Sequence, residues 1–190
     1  MKRKRAAGAV ALLVLLASLS SCVSTQRTSI TKKDLPDPSV STLVFGYLGH
    51  QTMFGVSALQ YCKYYQVNPD SEARVIDAIR PSSVSNPVFF LDPVAVGSSW
   101  QLLYFQMTSG NTITYFYLGM VGKDAYDFRA EKPGLLYIGS HMLVAGATQY
   151  SMQVRELVGG EEEALEAIRP QFKGTAWEAV IDQRLKELKS

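Results

Sequence analysis

The sequence predicts a mainly β protein, an antiparallel β-sandwich with a C-terminal segment of two helices packed on it. Three observations carry that expectation. Between residues 42 and 157, runs of β-branched and aromatic residues are separated by Gly, Pro, Asn, Asp and Ser. Some of these runs are apolar at both odd and even positions, so both faces of their sheet need cover. Beyond Gly160 the apolar spacing changes to the three/four pattern of an amphipathic helix. A hydrophobic content of 47% is ordinary for a globular domain and excludes disordered or collagen-like chains.

Taken in order, strands are expected at 42–48, 56–66, 87–91, 100–108, 111–120, 135–142 and 148–157. The stretch 75–79 reads as an extra strand or as one helical turn after Asp70-Ser71-Glu72. Strands 100–108 and 111–120 are expected to pair across Ser109-Gly110, where Gly supplies the positive φ of a two-residue hairpin turn. Lys132-Pro133-Gly134 is a second turn, with Pro presetting φ and Gly taking the left-handed position. By simple alternation Trp100, Leu102 and Tyr104 point one way and Leu103 and Phe105 the other, so the second side of that sheet needs a cap.

The C-terminus is the expected cap. Glu161-Glu162-Glu163 places negative charge at the positive end of a helix running to about Arg169, which Pro170 ends. Thr175-Ala176-Trp177-Glu178 has the form of a capping box, with Thr175 and Glu178 each satisfying an amide. The second helix, 176–188, carries Trp177, Val180, Ile181, Leu185 and Leu188 on one stripe. Arg184, Lys186 and Lys189 suit the negative end of its dipole. A helix this short is marginal alone, so it is expected to dock on the sandwich through Trp177.

Residues 1–21 form three zones: Lys2-Arg3-Lys4-Arg5, an apolar run over 6–19, and small Ser20-Ser21. That is the layout of a secretory signal peptide. The apolar run is shorter than the ~20 residues a membrane span requires. The tetrad Leu19-Ser20-Ser21-Cys22 resembles the lipobox of bacterial lipoproteins. The resemblance implies removal of 1–21, S-diacylglycerol and an N-acyl chain on Cys22, and anchoring in membrane lipid. Val23 after the cysteine, where an Asp would retain the protein in the inner membrane, implies the outer membrane. A lipobox needs cysteine because a thiolate is the nucleophile that can make the thioether. Residues 22–41, rich in Ser, Thr and Lys and holding Leu35-Pro36-Asp37-Pro38, read as the lipidated Cys and a flexible tether. Such a coil spans on the order of 20–25 Å. The division is therefore signal 1–21, tether 22–41, sandwich 42–157 and helical cap 158–190.

The chain carries 19 Lys+Arg and 17 Asp+Glu. Loss of the four leader bases leaves the exported part at about −2, which gives no electrostatic case for nucleic acid. With Cys22 acylated only Cys62 remains, so no intrachain disulfide forms. Cys62 lies in the β-like run Leu59-Gln60-Tyr61-Cys62-Lys63-Tyr64-Tyr65 and is expected as a small buried hydrophobe.

The residues offer no catalytic motif: no zinc spacing, no Gly-x-Ser-x-Gly, no P-loop and no dinucleotide fingerprint. No catalytic residue, metal or cofactor is assigned. His50 reads as a solvated turn residue in Gly49-His50-Gln51, and His141 as a carbonyl-bonded histidine at a strand end. Asp124 and Asp127 flank Tyr126 in an expected loop. The ten tyrosines are more suggestive. Alternation puts Tyr61 and Tyr65 on one strand face, and Tyr115 and Tyr117 on one face of theirs. Exposed rows of this kind stack on sugars or peptides, which makes these four the candidate ligand contacts.

Phe89-Phe90-Leu91-Asp92-Pro93, Trp100-Gln101-Leu102 and the run 128–140 together resemble small bacterial lipoproteins with a prealbumin-like, or carboxypeptidase-regulatory-like, β-sandwich. The "lysine-proline-glycine, tyrosine, glycine" step of that group is met at Lys132, Pro133, Gly134, Tyr137 and Gly139. Its earlier Pro-Gly turn is replaced by Val96-Gly97-Ser98-Ser99. The resemblance implies fold more than activity. The expected function is a membrane-anchored, non-catalytic binding or scaffolding module with an envelope protein or glycan as partner. The alternatives are an envelope enzyme using His141 or the Asp124/Asp127 loop, and a surface adhesin.

Overall fold

The structure, a computed structural model, describes residues 27–52, 55–67, 74–81, 86–109, 112–117, 127–145, 150–154 and 160–190. The strands are β1 (Ser41–Thr52), β2 (Gly55–Ala58), β3 (Gln60–Gln66), β4 (Val75–Asp77), β5 (Val88–Phe90), β6 (Val94–Ala95), β7 (Ser99–Ser109), β8 (Thr112–Tyr117), β9 (Asp127–Arg129), β10 (Gly134–Ala145) and β11 (Tyr150–Val154). Two helices follow, α1 (Gly160–Ile168) and α2 (Ala176–Leu188), joined by a 3-10 turn at Arg169–Phe172. The fold is mainly β, two facing sheets with a helical layer, as the sequence predicts.

β1 organises the first sheet. Along one edge it pairs with β10, and along the other with β6, β5 and β2 in turn. Its partner β10 is also paired with β11. The β1–β10 pair is parallel, Thr42 lying opposite Gly134 and His50 opposite Leu143, so this sheet is mixed where an all-antiparallel sandwich is expected. The second sheet is antiparallel, in the order β4-β3-β7-β8 with β9 also on β7. The single strand expected over 56–66 is two. Its chain leaves the first sheet after β2 and enters the second at β3, crossing at the fully buried Leu59, whose amide donates to Leu48 O at 3.1 Å.

The apolar side chains form two cores. Val44, Leu48, Tyr64, Phe89, Leu102 and Phe105 lie in the one between the sheets. Leu43, Phe45, Tyr47 and Phe90 lie in the other, beneath Leu165, Ile168, Phe172, Trp177 and Ile181 of the helical layer. Residues 41–49 are all buried. The strand sheathed on both faces is therefore β1. In β7 the apparent two-sidedness has another cause: Lys63 opposes Tyr104 while Tyr64 opposes Leu102, so Leu103 is an extra residue and the alternation shifts. Phe105 thereby joins Trp100 and Leu102 in the core between the sheets, stacking on Phe116 at 4.9 Å.

Other expectations change in similar ways. Ser109 pairs with Thr112 and so belongs to the ladder where the sequence predicts it in the turn, and Gly110 lies outside the described residues. The stretch 75–79 resolves as β4 followed by an isolated bridge from Ile79 to Phe90. The turn at Lys132-Pro133-Gly134 is present, with Gly134 at φ 97° opening β10. Thr175 occupies the N-cap of α2 without capping it by its side chain, because its hydroxyl donates back to Phe172 O at 2.7 Å. Glu178 accepts from the Gly174 amide at 2.7 Å. Of the charges assigned to helix dipoles, Arg184 pairs with Glu161 and Lys189 with Glu162, tying the helices together, and Lys189–Glu166 and Arg169–Asp182 add to these pairs.

The largest correction concerns the tether. Residues 27–40 pack on the body. Ile30 is buried in the helical core and Leu35 packs against it. Trp177, fully buried, donates its indole N–H to Pro36 O at 2.9 Å, and Lys32 donates to Lys173 O at 2.7 Å. Arg27 grips Asp92 with two nitrogens, and its carbonyl accepts from the Arg80 amide at 3.0 Å. Ile30 and Leu35 fill apolar positions that a Ser/Thr/Lys-rich composition hides.

Two measurements test this account. At Gly46 a Cβ would sit 2.6 Å from the Gly139 carbonyl oxygen, a backbone atom that cannot swing away. Gly46→Ala should cost about 1–3 kcal/mol, the usual range for overpacking, seen as a lowered melting temperature. Trp177→Ala should cost ~3–5 kcal/mol. Because its indole holds Pro36, limited trypsin digestion should then cut faster after Lys32 and Lys33 than in the parent.

Candidate functional site

The outer face of the second sheet carries the described tyrosines of the candidate set. Asp77 on β4, Lys63 on β3, Tyr104 on β7 and Tyr117 on β8 stand in one cross-strand row. Gln60, Gln106 and Tyr115 make the next. Lys63 Nζ lies 3.1 Å from Asp77 Oδ1, and the hydrogen bond to that carboxylate raises the ammonium above its ordinary pKa. Tyr115 is 50% exposed, and its ring meets Tyr104 edge-on at 6.2 Å. The patch offers aromatic edges beside a paired lysine, suited to stacking on a flat apolar or sugar face with one charge at the side.

The four expected contacts do not form one row. Tyr65 lies opposite Gln101 and its hydroxyl donates to the Gln101 side chain, five residues along β7 from the partner of Tyr115. That separation is about 17 Å. Tyr117 pairs by backbone with Tyr104, and its side chain lies outside the described residues. So does the side chain of Tyr61. An extra residue in β3 between Gln60 and Lys63 breaks the alternation by which Tyr61 and Tyr65 were expected to share a face. Sequence reasoning left out Lys63, Asp77 and Gln106. Their signal was Lys63 itself, one charge inside an aromatic run, which only an outward position accommodates cheaply.

The remaining titratable groups are scattered. His50 lies within β1, opposite Ser57 and Leu143, because the strand runs on through the expected turn, and burial lowers its imidazole. His141 is buried inside β10 opposite Leu48, in the first sheet. Asp127 is exposed on β9 in the second sheet, and Asp124 lies outside the described residues. The two places offered for an enzyme site, His141 or the Asp124/Asp127 loop, thus fall on different sheets at their described members. Among the described residues no three His, Cys, Asp or Glu side chains gather to hold a metal. Buried Arg80 donates to Leu59 O and Asn86 O, bracing the point where the chain changes sheets.

A groove of about 540 Å³ separates β10 from α2, lined by Leu135, Tyr137, Val180 and Arg184. Arg184 crosses it with every nitrogen engaged, Nε and Nη2 on Glu161 at 2.8 and 2.9 Å and Nη1 on Glu187 at 3.2 Å. Its charge is used internally, on two carboxylates. A cleft of about 320 Å³ opens near Asp92, Val75 and Trp100. Cys22 lies outside the described residues.

No protein-family model matches the chain, and no curated protein or solved structure matches it either.

Cys62 is buried, and loss of solvent pushes its thiol up to about 12. The folded state thus holds the thiol proton beyond the ordinary value of 9.0, so its contribution to stability is complete below that pH and fades towards pH 12. Iodoacetamide at mildly alkaline pH should leave Cys62 unmodified in the native protein and alkylate it fully in guanidinium, as read by mass spectrometry.

Proposed function

We propose that the protein is a bacterial lipoprotein, anchored through acylated Cys22 in the outer membrane, whose sandwich serves the envelope as a non-catalytic binding or scaffolding module. The observation that carries the reading is the tetrad Leu19-Ser20-Ser21-Cys22 behind a basic and then apolar leader. Two or more acyl chains at ~0.8 kcal/mol per buried CH₂ make a stable anchor, whereas one makes a marginal one. None of the helices among the described residues is long and apolar enough to cross a membrane. The contact surface of this module is the outer face of the second sheet around Tyr104, Tyr115 and Lys63, the described face that combines exposed aromatic edges with a charge.

Cys22→Ser should move the protein from the membrane pellet to the soluble fraction after a salt wash, and the parent N-terminal peptide should carry the mass of a diacylglyceryl and an acyl group. A parent peptide of unmodified mass overturns the reading. In cells, a photo-crosslinker at Tyr115 should trap a partner that the same probe at exposed Lys186 does not.

A further inference from the structure

Among the described residues β8 ends the second sheet. One edge of it is paired with β7 from Tyr117–Tyr104 to Thr112–Ser109, and no described strand pairs with the other. Residues of an antiparallel strand alternate in the side to which they turn their N–H and C=O, so half of the six in β8 aim both groups away from β7. Thr112, Ile113, Thr114 and Tyr115 are all exposed, Ile113 by 51% and Tyr115 by 50%. The strand is seated from within, since Phe116 stacks on buried Phe105.

Open edges are usually guarded by charge, Pro, a bulge or shortness, because an open ladder recruits other chains. The other sheet ends show guards. β4 has three residues and ends on Asp77, and β9 has three and carries Asp127 and Arg129. β2 has four and opens on Gly55, while β11 bears exposed Ser151 and Gln153 and runs into Arg155-Glu156. β8 has none: Thr-Ile-Thr-Tyr-Phe-Tyr holds no charge, Pro or Gly, and its register with β7 is unbroken. Its residues are all β-branched or aromatic, the types that best fit a pleated ladder.

The chemistry of such an edge asks for another extended chain, joined by backbone hydrogen bonds. Self-complementarity selects which chain. A two-fold axis normal to the sheet sets β8 antiparallel to its own copy, an isologous contact. Full overlap pairs Thr112 with the partner's Tyr117, Ile113 with the partner's Phe116 and Thr114 with the partner's Tyr115. Each is a pair of β-branched and aromatic residues, and no like charges meet. We propose that β8 is a self-association edge, where two copies of this chain join into one continuous sheet running from β4 of one to β4 of the other. The outer faces then lie on one side, so Tyr104, Tyr115 and Lys63 of both copies share a surface. The proposal does not depend on the fate of Cys22.

The test is zero-length cysteine crosslinking of the full chain in the cells that make it, oxidised with copper phenanthroline and read on non-reducing gels. The parent, with Cys22 and buried Cys62, sets the background. The axis passes between residues 114 and 115, so Thr114→Cys and Tyr115→Cys should each give a dimer band at least five times background. Thr112→Cys stands five residues out of register with its own copy, about 16 Å, and should give none. Nor should Asp77→Cys, seven strand spacings or ~34 Å from its copy. Adding Thr114→Lys to Tyr115→Cys sets two lysines beside the axis and should cut the band at least fivefold, whereas Thr114→Val should leave it. No band at either 114 or 115, a band that survives Thr114→Lys, or an equal band at Asp77 overturns the proposal. So do bands at Tyr115→Cys and Lys63→Cys without one at 114, which mark contact through the outer face. A crosslinked species of another mass shows a different protein on the edge and overturns it too. Residues 114 and 115 lie on opposite faces of β8, so misfolding of one variant leaves the other to decide.

Discussion

The constraint on which the rest depends is that β1 is apolar on both faces. Leu43, Phe45 and Tyr47 face one way, Val44 and Leu48 the other, and water is excluded from both. A sandwich covers only one side of each sheet, so the first sheet needs a third layer. The helices and the incoming segment supply it, which explains why residues of middling helix propensity, such as Trp177, Val180 and Ile181, are held in a helix. Apolar contact outweighs charge in this layer. The interhelical ion pairs are largely solvent-exposed, where water screens them, whereas a buried indole such as Trp177 contributes through its full apolar area.

Much of that architecture was legible because hydrophobic periodicity is local. The β-rich stretch, the Lys132-Pro133-Gly134 turn and the two helices divided by Pro170 were read from neighbours a few residues apart. What was not legible depends on register. The extra residue at Leu103 changes which face Phe105 occupies, and no count by twos along β7 reveals it. The switch of sheets at Leu59 is likewise invisible in an unbroken β-like run. Pairing of β1 with β10 joins residues far apart in sequence, so local turn signals pointed to antiparallel neighbours alone. The tether was misjudged because composition averaged away Ile30 and Leu35, two side chains that decide the matter.

The candidate contact surface was legible in kind and not in arrangement. Tyrosine enrichment in the strands of the second sheet was plain, but the bulges in β3 and β7 decide that Tyr104 and Tyr115 meet while Tyr65 bonds to Gln101. Lys63 and Asp77 join them through cross-strand neighbours, a relation that exists only once the sheet is assembled.

The parallel pairing of β1 with β10 also bears on how the protein is made. A chain emerges from the ribosome N-terminus first, and the segment that pairs with Thr42 follows about ninety residues later, a delay of several seconds at ordinary synthesis rates. Throughout that interval a strand that ends up buried on both faces has no partner along one edge and no helices over its outer face. Closing so long a loop is also among the slower steps open to a folding chain. Nascent β1 is thus a sticky, waiting segment, and shielding it from other chains is a task that falls to chaperones before the fold can protect itself.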